Sequence, residues 1–171
     1  MRRINLLLTS FSLLFVVHNT QAQATKGDIR LGGQLGYGTE IESLGIGARF
    51  DYAITDQILL APDLMYFFGK SEGGVDFNWF DINLNGNYLF EVSNPDIIPY
   101  VLAGINIAIF SVDFGVNNFF TGRGSSTNIG LNLGGGVDFV VSTFFVFGEL
   151  RYVLSSADQL VIAGGVKFPL N

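Results

Sequence analysis

Hydrophobic and polar or small positions alternate without a slip from residue 44 to residue 54. Leu44, Ile46, Ala48, Phe50, Tyr52 and Ile54 fall on one side; Gly45, Gly47, Arg49, Asp51 and Ala53 fall on the other. Successive side chains of a strand point to opposite faces, so the segment predicts a strand with one apolar and one polar wall. The same beat returns in seven other segments: 28–38, 58–69, 76–90, 98–110, 128–139, 143–154 and 158–168. In 76–90, Phe80, Ile82, Leu84, Tyr88 and Phe90 oppose Asp81, Asn83, Asn85 and Asn87. In 143–154, Phe144, Val146, Leu150 and Tyr152 oppose Phe147, Glu149 and Arg151. The polar rows consist of Gly, Asn and isolated charges, not the Lys and Glu of a water-washed surface. Pro62 cannot donate to a ladder and marks a local irregularity in 58–69.

Most segments reach the ~9–11 residues that a tilted membrane-spanning strand needs. Their connections fall into two alternating sets, 55–57, 91–97 and 140–142 against 39–42, 70–75, 111–127 and 155–157. The pattern predicts an all-β fold, an eight-stranded antiparallel up-and-down transmembrane β-barrel with its oily rows facing lipid. Aromatic residues collect near both rims: Phe50, Tyr52, Tyr88, Phe90, Tyr100, Phe139 and Phe144 at one, Tyr37, Tyr66, Phe68, Trp79 and Phe80 at the other. Two such girdles suit the interfaces of a bilayer. Volume chooses the orientation, because an eight-stranded interior is barely wide enough for its own side chains. Rows of Phe, Tyr, Leu and Ile would overfill it, whereas rows of Gly, Asn and Ala fit. The opposite orientation, a secreted soluble lipocalin-like binding protein, would leave Gly and Asn as the solvent surface.

Composition sharpens this picture. Charged residues make up 14% of the chain and hydrophobic residues 49%, with a mean hydropathy of +0.41; a soluble domain carries about 25% charged residues. Beyond residue 24 there is no apolar run of ~20 residues that could cross a membrane as a helix. A closed sheet is the remaining way to satisfy every backbone group in lipid. Arg2 and Arg3, the apolar stretch 4–17 and Ala22-Gln23-Ala24 predict an export signal over 1–24. Cleavage is expected after Ala24, or alternatively after Ala22, leaving one barrel domain over 25–171. Once Arg2 and Arg3 are removed, seven basic residues face fifteen acidic ones, a formal charge of −8. That balance argues against nucleic acid and against a basic patch for anionic headgroups.

The inward rows hold both signs of charge: Arg30, Arg49, Arg151 and Lys167 with Asp51, Asp63, Asp81, Asp138 and Glu149. An unpaired buried charge is severely penalised, so these groups are expected to pair inside the lumen. Two readings stay open. The network is a polar core, or it lines a narrow pore or small-solute channel gated by pair rearrangement, with Glu149 and Arg151 as gate residues. A second candidate is the segment 111–127, expected to face outward from the cell. Phe114, Phe119, Phe120 and Arg123 are its candidate contact residues for an extracellular or envelope partner, since exposed aromatics mark partner surfaces. If the segment instead prolongs its flanking strands, those rings are buried between strands. Cysteine is absent and the one histidine, His18, lies in the expected signal. The domain therefore cannot build a Ser-His or Cys-His arrangement, and no metal-ligand spacing is visible. No enzymatic activity, cofactor or metal is expected. Asp113-Phe114-Gly115 stands without other kinase elements, and the glycines of 130–136 lie inside a strand with no helix after it.

Four stretches carry a resemblance: Gln-Ala-Gln-Ala at 21–24, LLAPDLMYFFG at 59–69, PYVLAG at 99–104 and GELRY at 148–152. In this order they resemble the outer-membrane β-barrel domain family of Bacteroidetes-type bacteria, which overlaps the OmpA/OmpX-like and PorT-like small barrels. The likeness spans essentially all of 25–171. It implies an eight-stranded antiparallel barrel in the bacterial outer membrane, partnered by that membrane's lipid and folded by its assembly machinery. Two departures stand out. The last aromatic, Phe168, is followed by Pro169-Leu170-Asn171, so the terminal sorting signal is expected to be displaced. No peptidoglycan-binding domain follows the barrel, so OmpA-style cell-wall anchoring is not expected.

Overall fold

The computed structural model describes the backbone of residues 24–69, 71–72, 75–116 and 120–170, with side chains for all of these except 71–77 and 112–124. The expected signal therefore lies outside the described residues, apart from Ala24. Eight strands make the wall: β1 (Ile29–Gly38), β2 (Ser43–Ala53), β3 (Ile58–Phe67), β4 (Val75–Leu89), β5 (Ile97–Val116), β6 (Phe120–Val141), β7 (Phe144–Leu154) and β8 (Gln159–Leu170). Each pairs antiparallel with its neighbours in sequence. β8 returns to β1 from Ile29↔Leu170 to Gly38↔Val161, so the sheet closes on itself. A two-residue piece, Ser71–Glu72, extends the pairing at the start of β4. Closure removes the open edges that lipid could not satisfy.

Alternation sorts the two walls as the sequence predicts. Leu35, Leu44 and Leu131 are 65%, 64% and 57% exposed on the outer face, whereas Arg49, Asp51, Asn85 and Asn132 are at most 1% exposed on the inner one. The soluble lipocalin-like alternative is thereby overturned, because its solvent surface would be a continuous wall of Leu, Ile, Phe and Tyr. Two girdle assignments are also corrected. Tyr100 and Trp79 lie near the rims, but strand phase turns both inward: Tyr100 shares its face with Leu102 and Asn106, and Trp79 with Asp81 and Asn83.

Residues 111–116 and 120–127 are strand, not loop. The β5–β6 ladder runs on from Ser111↔Ser125 to Val116↔Phe120. These strands have 20 and 22 residues, against 10 to 15 in the others. The Gly, Ser and Asn content of 111–127 reads as turn chemistry, but each arm supplies the other's hydrogen-bond partners. Since ~9–11 residues suffice to span, the far ends of β5 and β6 project beyond the rim. That end is called the hairpin end below; the end carrying 54–57, 90–96 and 142–143 is the turn end.

One rung of the wall is imperfect. β2 pairs with β3 from Gly45↔Phe67 to Arg49↔Asp63 and resumes at Tyr52↔Leu60, skipping Phe50/Pro62 and Asp51/Ala61. On its other side Pro62 pairs with Leu84 without a break. The N–H that proline lacks therefore faces β2.

Candidate functional site

Eight of the nine charges expected in the lumen form one alternating chain across the barrel. Arg30 Nη1 lies 3.4 Å from Asp138 Oδ2, which also accepts from Lys167 Nζ at 2.6 Å. Lys167 Nζ donates to Asp51 Oδ2 at 2.8 Å, and Arg49 Nε donates to Asp51 Oδ1 at 3.0 Å. Arg49 Nη1 donates to Glu149 Oε2 at 2.5 Å. Arg151 Nη1 then stands between Glu149 Oε1, 3.6 Å away, and Asp63 Oδ2, to which it donates at 2.8 Å. Four cations alternate with four carboxylates, so the chain is formally neutral. Neutrality and mutual pairing are what make so many buried charges tolerable at all. Asp81 stands outside it and accepts from Trp79 Nε1 at 2.5 Å.

Neutral side chains complete the shell. Asp63 accepts from Gln34 Nε2, Asn83 Nδ2 and Asn85 Nδ2 at 2.9 to 3.1 Å, besides Arg151. Asn106 and Asn132 each donate to Asn83 Oδ1 at 2.9 Å, tying β5 and β6 to β4 across the lumen. Aromatic faces cover the cations. Phe145 lies 4.0 Å from the Arg30 guanidinium, and Phe147 lies 5.0 and 5.1 Å from Arg49 and Lys167.

Tyr100 donates its hydroxyl to Glu149 Oε2 at 2.8 Å. This contact requires Gly136, which sits opposite both residues in the two ladders. A Cβ at Gly136 would come within 2.6 Å of the Tyr100 ring, so only a bare backbone lets that ring cross the strand. Rim position hid the role of Tyr100 in the sequence; its phase relative to Asn106 carries the signal.

Apolar side chains close both ends of the lumen. At the turn end Ala24, Ala53, Leu59, Leu89, Ile98, Tyr100 and Leu102 pack together. At the hairpin end Met65, Phe67, Val153, Val161 and Ala163 do so, with Ile41 and Trp79 against them. Leu59, Met65, Phe67 and Leu89 show that the interior is not filled by Gly, Asn and Ala alone. Between these plugs, Arg30, Arg49, Asp51, Asp63, Asp81, Asp138, Glu149, Arg151 and Lys167 are all 5% exposed or less. A water-wide path along the described lumen would leave them accessible. Among the described residues no three His, Cys, Asp or Glu side chains converge as a metal would require.

The hairpin candidates fare differently. Phe114 pairs with Gly122, Arg123 with Asp113 and Phe120 with Val116 in the projecting ladder; Phe119 lies outside the described residues. On its other side β6 first pairs at Leu131↔Leu154, so, among the described residues, 120–130 have one ladder partner only.

Small outer-membrane barrels are similar to this structure. The N-terminal β-barrel domain of Pseudomonas aeruginosa OprF matches at 18% identity with a TM-score of 0.63, over 86% of this chain and 100% of that one. Neisserial surface protein A matches at 17% identity and 0.60, over 82% and 95%. Ail, the attachment invasion locus protein of Yersinia pestis, matches at 12% and 0.59, over 84% and 97%. No protein-family model and no curated protein matches the sequence. Identities this low carry the architecture and nothing finer. The chain is an eight-stranded closed antiparallel β-barrel of the small transmembrane type seen in bacterial outer membranes.

Proposed function

We propose that the chain is an integral protein of the bacterial outer membrane with a structural, adhesive or interaction role, working through its hairpin end and not through its lumen. The observation that carries this reading is the lumen itself, crossed by a neutral chain of ion pairs and plugged by side chains at both ends. Short turns on the periplasmic side and long projections outside are the usual disposition of such barrels. The arms of β5 and β6 then stand outside the cell, and residues 120–130 offer an open strand edge. An extended segment of a partner can add to such an edge by main-chain hydrogen bonds, whatever the side chains. Outer-membrane lipid surrounds the wall, and the assembly machinery of that membrane inserts it. Among the similar structures, the attachment invasion locus protein carries an outward-facing role in its name.

Planar-bilayer recording of the reconstituted barrel tests this reading. A flat baseline without discrete openings is expected. Openings abolished by charge reversal at Glu149 or Arg151 would replace it with the narrow-pore reading. One observation favours that second reading. Arg151 is shared between Asp63 and Glu149, so a modest shift of one guanidinium exchanges its partners.

A further inference from the structure

Leu31, Ala48, Phe50, Pro62, Leu64 and Ile82 surround a hollow of about 390 Å³ in the outer wall, with the lumen residues Arg49, Asp63 and Asn83 behind it. Its cause is local. Pro62 gives β2 no N–H, two rungs between β2 and β3 are skipped, and Ala48 is small between Phe50 and Leu64. Leu31, Leu64 and Ile82 are 48%, 44% and 37% exposed around it, so the hollow opens on the same face as the oily rows. Ala48 and Pro62 lie about midway along their strands.

We infer that this hollow is a binding site for one acyl tail of a membrane lipid. The inference rests on the membrane reading above. Water is a poor occupant, because an ordered water needs two to four polar partners and this lining presents almost none. Left empty, the lining would forfeit dispersion contacts over its whole surface. Nothing hydrophobic drives a tail out of surrounding lipid, since the tail is in hydrocarbon either way. What favours the site is contact on several sides of each methylene where a flat wall offers one. A second barrel presents side chains standing on a convex wall and cannot run along the hollow as a flexible tail does.

The test uses the full chain refolded in phosphatidylcholine vesicles that contain a phospholipid with a diazirine midway along one acyl chain. After irradiation, adducts are mapped by peptide mass spectrometry. Several-fold more adduct is expected on 48–50 and 62–64 than at Leu133 and Leu150 on the opposite wall. Ala48→Phe fills the hollow and is expected to remove that excess while leaving the opposite wall labelled. Should A48F fail to fold, Pro62→Val restores the missing donor and is expected to act in the same direction. Even labelling around the barrel of the native chain, or an excess that survives a folded filling variant, overturns the site and leaves the membrane reading standing. Labelling nowhere on the outer wall overturns both.

Discussion

Lys167 Nζ sits between Asp51 and Asp138, at 2.8 and 2.6 Å, with the Phe147 ring 5.1 Å away. Removing such a shared cation leaves Asp51 to Arg49 and Asp138 to Arg30 alone, with one uncompensated negative charge where water cannot reach it. Lys167→Met should therefore destabilise the folded barrel by about 3–5 kcal/mol, the range for breaking a buried pair from one side. Tyr100→Phe deletes one hydrogen bond to a charged group and should cost about 1.5–3 kcal/mol. Denaturant unfolding in lipid vesicles checks both, and Trp79, the single tryptophan, supplies the fluorescence signal. Lys167 and its partners were legible in the sequence, because charges are rare in this chain and strand phase put them on one face. Tyr100 was not. Its aromatic ring near a rim reads as a girdle residue, and only the glycine at position 136, paired with Tyr100 on one side and Glu149 on the other, shows where that ring lies.

At the level of elements, β2 and β4 were the most readable: β2 has an unbroken apolar row, and from Phe80 onward that of β4 is interrupted only at Gly86. β3 carried its own warning in Pro62, and the warning was accurate: the ladder to β2 skips two rungs there. The ends of β5 and β6 were unreadable for a different reason. Strand propensity in a hairpin arm comes from the neighbouring arm, and a stretch rich in Gly, Ser and Asn gives no local sign of it. Because the projecting ladder lies beyond the closed wall, the barrel does not need it. Replacing 112–124 with a two-residue Asn-Gly turn between Ser111 and Ser125 should leave folding intact. The check is retention of the compact, heat-modifiable gel band; loss of that band would mean the arms help to hold the wall together.

For the whole molecule, closure and orientation followed from counting rows and comparing their volumes with what eight strands can enclose. The sealing of the lumen did not. Leu59, Leu89, Ile98 and Leu102 come from three neighbouring strands, and Met65 and Phe67 meet Val153 and Val161 from across the barrel, so the hairpin-end plug exists only once the sheet has closed. In sequence they are occasional large residues in otherwise small or polar rows. The same closure makes the two faces of every strand face two different media, and this can be measured directly. Because the chain has no cysteine, single cysteines can be placed one at a time at residues 44–54, spin-labelled in vesicles, and probed with oxygen and a water-soluble nickel complex. Labels at 44, 46, 48, 50 and 52 should be relaxed strongly by oxygen and weakly by nickel, with the odd positions protected from both. Strong nickel access at the even positions would contradict the account, because it would put the Leu, Ile, Phe and Tyr rows in water.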